Sequence, residues 1–159
     1  MSTWRRCKES GFRVQNSAGS RGNFVSEYMR VEDRQVDQKL CDLHMKVCEL
    51  LHKWPAEEKH ELASQVRRSS NSAPAQLAEK HSDRHVRNKI EGVNRTRGET
   101  LETIHHLFIA SRKRYIDATA FEAYRARYHE CIRMLNGLER KLEMQLDPSA
   151  RRFPSRPEL

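Results

Sequence analysis

Proline and glycine are scarce in this chain: five prolines and six glycines among 159 residues, with three of the prolines close to the C-terminus. Long uninterrupted helices are therefore allowed. No apolar run approaches the roughly 20 residues of a membrane span. The basic N-terminus lacks the apolar segment of a secretory signal. Apolar residues reach only 36%, which suits a thin-cored helical bundle better than a thick α/β core. Cys7, Cys41, Cys48 and Cys131 show no CxxC or metal-ligand spacing. Cys41 and Cys48 are seven apart, on one helical face, and the cysteines read as buried, reduced thiols of a cytoplasmic protein.

Charge is abundant. One residue in three is charged, the formal net charge is +8 and the pI is near 9.6. Residues 1–36 hold seven Lys/Arg against four Asp/Glu, residues 37–146 hold 20 against 16, and residues 147–159 hold three against two. A positive balance spread along the chain favours polyanion partners, nucleic acid first. Simple solubility is the other reading of the same charge.

Residues 1–36 carry no sustained period of 2 or 3.6 and read as a flexible basic extension. From Leu40 a helical period appears: Leu40, Leu43, Val47, Leu50, Leu51 and Trp54 make one stripe. Trp54-Pro55 ends it, because a residue before proline avoids the helical region. Pro55, with Glu57 and Glu58 behind it, predicts the start of a second helix. That helix carries Leu62, Val66, Ser69, Ala73 and Leu77, with Pro74 either breaking or only kinking it. A third shows Val86, Ile90, Val93, Arg97, Leu101, Ile104 and Phe108. Gly98 within it points to a close contact, since glycine there costs roughly 1 kcal/mol against alanine. The fourth is the most regular, with Phe121, Tyr124, Tyr128, Cys131, Leu135, Leu138 and Leu142 alternating steps of three and four. The expectation is an all-α, antiparallel up-down-up-down four-helix bundle over residues 37–146, followed by a disordered basic tail over 147–159.

Three segments carry a family resemblance. The run Gln65-Val66-Arg67-Arg68-Ser69-Ser70-Asn71-Ser72-Ala73-Pro74-Ala75-Gln76-Leu77-Ala78-Glu79 resembles the second-helix signature of the four helix bundle protein family. Arg97-Gly98-Glu99-Thr100-Leu101-Glu102 resembles its third-helix motif, and Met134-Leu135-Asn136-Gly137-Leu138 its ending. That family includes proteins encoded in ribosomal RNA intervening sequences and the accessory variability proteins of diversity-generating retroelements. The resemblance implies a ring-shaped homopentamer without known catalytic activity. For the retroelement branch it also implies binding to a reverse transcriptase and to RNA or DNA.

The residues themselves offer three constellations. The first is basic: Arg67, Lys80, Arg84, Arg87, Lys89 and Arg95, then Arg112, Lys113 and Arg114 at the far end of the third helix, and Arg125, Arg127 and Arg133 on the fourth. Such a set can neutralise phosphates and release counterions, giving sequence-independent, salt-sensitive binding; an ordinary solvated surface is the alternative. Arg84, Arg87 and Lys89 fall off the Val86/Ile90/Val93 stripe. Aromatic residues are not interleaved with the bases, so stacking on unpaired bases is not signalled. Residues 37–62 are acidic by contrast, with Asp37, Asp42, Glu49, Glu57, Glu58 and Glu61 against four bases. An acidic first hairpin beside a basic second one suits head-to-tail pairing of copies in a ring, and i,i+4 pairing within a helix explains it equally.

The second constellation, Arg68, Glu79, Arg97 and Glu102 with Arg67 nearby, reads as a half-buried ion network. Its two carboxylates come with no nucleophile and no phosphate loop, so an enzyme is not expected. The third is three Glu-x-x-His pairs, Glu49/His52, Glu57/His60 and Glu102/His105, the spacing of di-iron bundles, with His81/His85 as a further pair. Glu49 and His52 lie off the apolar stripe, and no glutamate on the fourth helix completes an inward set. No metal or other cofactor is expected.

Overall fold

The computed structural model describes residues 29–152. Of the extension expected over 1–36, residues 1–28 lie outside the described residues, as do residues 153–159 of the tail; residues 31–33 and 35–36 are helical rather than part of an irregular arm. Among the described residues four α-helices build the fold: α1 (Gln35–Leu51), α2 (Leu62–His81), α3 (Val86–Arg112) and α4 (Ala118–Glu143). Short 3-10 turns stand at Val31–Asp33, Ala56–His60 and Pro148–Ala150. The described residues contain no strand, and none of their helices is long and apolar enough to cross a membrane.

Helix α1 buries Val36, Leu40, Leu43, Val47 and Leu51, and Trp54 closes the stripe beyond its end. Pro55 does not start α2, however. It opens the 3-10 turn Ala56–His60, and Glu61 at φ −104°, ψ −120° breaks the path before Leu62. The cause is Glu58. Its carboxylate turns inward, is 5% exposed and accepts the Leu62 backbone N–H at 3.2 Å, which serves the first turn of α2 as a cap would.

Helix α2 runs unbroken through Pro74, which is buried. The missing proline N–H leaves one helical bond unmade, and packing on α1 and α3 outweighs it. Contact between α2 and α3 is the most extensive in the molecule. Its buried residues include small groups, Ser69 and Ala73 on α2 and Gly92, Thr96, Thr100 and Thr103 on α3. Thr96 and Thr100 hydroxyls donate to the Gly92 and Thr96 carbonyls at 2.8 Å, and the Thr103 hydroxyl is bonded to Ser69 at 2.9 Å. Each of these hydroxyls between α2 and α3 is thus satisfied.

This rotates α3 away from the stripe expected of it. Val93 is buried, but Ile90 and Ile104 are only partly so, and Leu101 and Phe108 are 48% and 44% exposed. The close approach falls at Gly92: a Cβ there would stand 2.5 Å from Lys80 Cβ, whereas one at Gly98 meets nothing within 4 Å. Helix α4 follows its expected seam, burying Phe121, Tyr128, Cys131, Leu135 and Leu142. Asp117 caps it by accepting the Ala120 N–H at 2.7 Å.

Each helix packs on its neighbours in sequence, and α1 packs on α4. Along α1 and α4, Lys39 meets Glu130 and the Lys46 carbonyl meets Tyr124. Along α3 and α4, Arg97 meets Glu139 and Phe108 meets Phe121. The core is the line of side chains these four pairings enclose.

Candidate nucleic-acid interface

The charged side chains divide into those tied to a partner and those that are not. Of the twelve basic residues singled out from the sequence, four hold ion pairs: Lys80 with Glu79 at 3.3 Å, Arg95 with Glu91 at 2.5 Å, Lys113 with Glu58 at 2.5 Å, and Arg125 with Glu122 at 3.2 Å. The other eight, Arg67, Arg84, Arg87, Lys89, Arg112, Arg114, Arg127 and Arg133, have none among the described residues. Seven of those eight are exposed and Lys89 is half-buried.

The fold does not gather them on one patch. Arg84 and Arg87 stand at the α2–α3 turn. Arg112 ends α3, Lys113 follows it, and Arg114 takes the left-handed conformation, φ 64°, that starts the turn into α4. At 1.5 Å per residue these two basic ends of α3 lie about 37 Å apart. Arg67 sits mid-way along α2 beside His44, Ser64, Asn71 and Ser72 on an open polar face. Arg127 lines a cleft between α1 and α4 with Lys39, Lys46, Asp42 and Glu130, and Arg133 lies further along α4. Lys89 corrects the sequence reading. It stands on the inward line of α3, four residues before Val93 and seven before Thr96, and lines a cavity with Val93.

The expected polar network does not form as one unit. Arg68 pairs with Glu102 at 3.1 Å, and His106, not His105, reaches that carboxylate at 3.3 Å. Glu79 holds Lys80 at the surface. Arg97 turns away from α2 toward α4, where it donates to Asn136 Oδ1 at 2.7 Å and Glu139 Oε2 at 2.6 Å, and to Asn94. The reason is the rotation of α3: the Gly/Thr ridge occupies the α2 side, leaving Arg97 on the α4 side. Glu139 is 4% exposed, a buried carboxylate the sequence reading did not anticipate.

The acidic first hairpin is also less available than its composition suggests. Asp37 and Glu58 are buried. Glu58 Oε1 accepts from Lys113 Nζ at 2.5 Å and from the Tyr115 hydroxyl at 2.7 Å. The Lys113 bond and then the Tyr115 bond hold its pKa below the ordinary value. Burial pushes the Asp37 carboxyl up and the Cys131 thiol up to about 11, whereas Cys41 is exposed and Cys48 only half-buried, against the burial expected of them. Glu49, His52, Glu57 and His60 are exposed, and no group of three or more His, Cys, Asp or Glu among the described residues could hold a metal ion.

The model of the 23S rRNA-intervening sequence protein family matches residues 32–137, a span covering α1 to α3 and most of α4. The chain belongs to that family. It is also similar to a crystal structure of a protein of unknown function from the S23 ribosomal protein family of Bacteroides thetaiotaomicron. The TM-score is 0.60 at 22% identity, over 65% of this chain and 97% of that one. That likeness is one of fold. No curated protein matches the chain. The Gln65–Glu79 run, the Arg97–Glu102 motif and Met134–Gly137 all fall inside the matched span.

Proposed function

We propose that this protein is a non-enzymatic nucleic-acid-binding accessory protein, acting as an antiparallel up-down-up-down bundle that assembles into a homo-oligomer, most naturally a pentamer. One observation carries the binding reading: eight of the twelve candidate basic side chains have no carboxylate partner among the described residues. Unneutralised Arg and Lys spread over the surface attract a polyanion without reading its sequence. The matched family is named for ribosomal RNA, so RNA is the first partner to test. A reverse transcriptase is the partner that the retroelement branch of the resemblance would add.

The antiparallel reading is supported by the paired contacts, in which numbers rise along one helix as they fall along its neighbour: 39 with 130 and 46 with 124, 97 with 139 and 108 with 121. Assembly is supported by the α3 flank, where Leu101 and Phe108 are left exposed beside an open Gly98. The same flank favours a second reading, a purely structural oligomeric scaffold without a nucleic-acid role.

Salt-dependent binding separates the two. Arg84→Gln with Arg87→Gln should weaken RNA and DNA alike and flatten the slope of log K against log salt by about 0.7–0.9 per lost contact. Arg95 is left in place because Glu91 already engages it. Wild-type protein that binds no nucleic acid at low salt would leave the scaffold reading standing.

A further inference from the structure

Where α1 begins, α2 ends, α3 begins and α4 ends, the side chains leave a partly open cavity of about 110 Å3. Its walls are Leu77, Val93, Leu138 and Leu142, and its polar groups are Arg34, His81, Lys89 and Gln145. Among the described residues no carboxylate lines it. Lys89 is half-buried on the inward line of α3, and its ammonium has no ion pair or hydrogen bond among the described residues. Arg34 is half-buried too. Its Nε donates to His81 Nδ1 at 3.0 Å, and the other His81 nitrogen meets the Met29 carbonyl at 2.8 Å. That pair fixes the guanidinium while its two terminal nitrogens keep no hydrogen bond among the described residues.

Two half-buried cations around an apolar-walled cavity are an electrostatic arrangement missing its anion, because desolvated charge is costly until paired. Asp37, on α1, is buried and interacts with His81, and burial favours its neutral form. A single water needs only about 10–15 Å3 of such space, so the cavity has room for one tetrahedral oxyanion. We propose that this cavity receives a phosphomonoester-type dianion, held by Arg34 and Lys89, with Gln145 as a neutral donor. Inorganic phosphate and the terminal phosphate of an RNA strand share this chemistry; the second source rests on the nucleic-acid reading above.

The probe is inorganic phosphate, titrated against chloride at constant ionic strength. Thermal midpoints of the wild type should rise with phosphate, since a ligand of the native state stabilises it by mass action. Lys89→Met should need at least about tenfold more phosphate for the same rise, the scale of one lost charge-assisted bond. Lys53→Gln, at an exposed site elsewhere, should behave as wild type. Should Lys89→Met fail to fold, Arg34→Met and calorimetric titration of the wild type replace it. The source is decided by RNA of one sequence carrying a 5′-phosphate or a 5′-hydroxyl. A Lys89-dependent preference for the phosphorylated end assigns the site to strand ends, and phosphate binding without that preference assigns it to a free anion. No stabilisation by phosphate beyond chloride, together with equal affinity for both RNAs, overturns the site. Such a result leaves general RNA binding untouched, and that reading fails separately, by absence of binding to either RNA.

Discussion

Lys80 lies across Gly92. The position a Gly92 Cβ would take is 2.5 Å from Lys80 Cβ and 2.9 Å from its Cγ, with the Gln76 carbonyl oxygen at 3.3 Å. The nearest atom is anchored to the backbone of α2, so no flexible tip can swing aside.

Gly92→Ala should therefore lower stability, even though alanine favours a helix over glycine by roughly 1 kcal/mol. Overpacking typically costs about 1–3 kcal/mol, and here it falls on the broadest helix contact in the fold. Chemical denaturation gives the sign. A stabilised Gly92→Ala protein would mean that α2 and α3 do not approach this closely.

Gly98→Ala is the counterpart, on the same helix and with an open surround. In a lone bundle it should stabilise by up to about 1 kcal/mol through helix propensity. If copies pack against the Gly98, Leu101 and Phe108 flank, the added methyl should instead weaken assembly. Light scattering and thermal melting of one variant thus report on both the monomer and the oligomer.

Glu58 gives the fold an acid-sensitive joint. Bonds from Lys113 and Tyr115 depress its pKa, so its contribution is fully present above the ordinary glutamate value and is lost as pH falls through the lower folded value. The Lys113 pKa is raised, chiefly by the Glu58 bond, so that side of the pair fails only as pH climbs through the raised lysine value. Glu58→Gln should melt below wild type at neutral pH, and the gap should close in strong acid. A gap of constant size across that range would show that the carboxylate charge contributes nothing.

The legible parts of the fold were those with large apolar side chains at helical spacing. Leu40, Leu43 and Val47 on α1 and Phe121 to Leu142 on α4 mark their buried faces openly. Helix α3 hid its face because Gly92, Thr96, Thr100 and Thr103 look polar or neutral in sequence. Only the i−4 carbonyl bonds of the threonines make their burial cheap, while the larger Leu101 and Phe108 drew the expected stripe toward α4. Buried acids were invisible for another reason: Glu58 and Glu139 find their partners 55 and 42 residues away. In the candidate interface the residue types were legible and their grouping was not. The inward position of Lys89 could have been read from its spacing to Val93 and Thr96.

Arg97 and Glu139 offer the sharpest test of how α3 sits on α4. Arg97 Nη1 donates to Glu139 Oε2 at 2.6 Å, the side chains are 22% and 6% exposed, and Glu139 Oε1 has no partner. Removing the arginine strands a buried carboxylate, so Arg97→Met should cost about 3 kcal/mol or more. Removing both charges leaves an apolar contact of similar bulk, and Arg97→Met with Glu139→Met should recover most of that loss, as replaced buried pairs commonly do. Glu139→Met alone should fall between the two, because Asn136 and Asn94 still accept from the guanidinium. Urea midpoints of the three variants and the wild type close the cycle. If the double variant is as unstable as the sum of the singles, the two side chains are not coupled, and Arg97 is held by the asparagines alone.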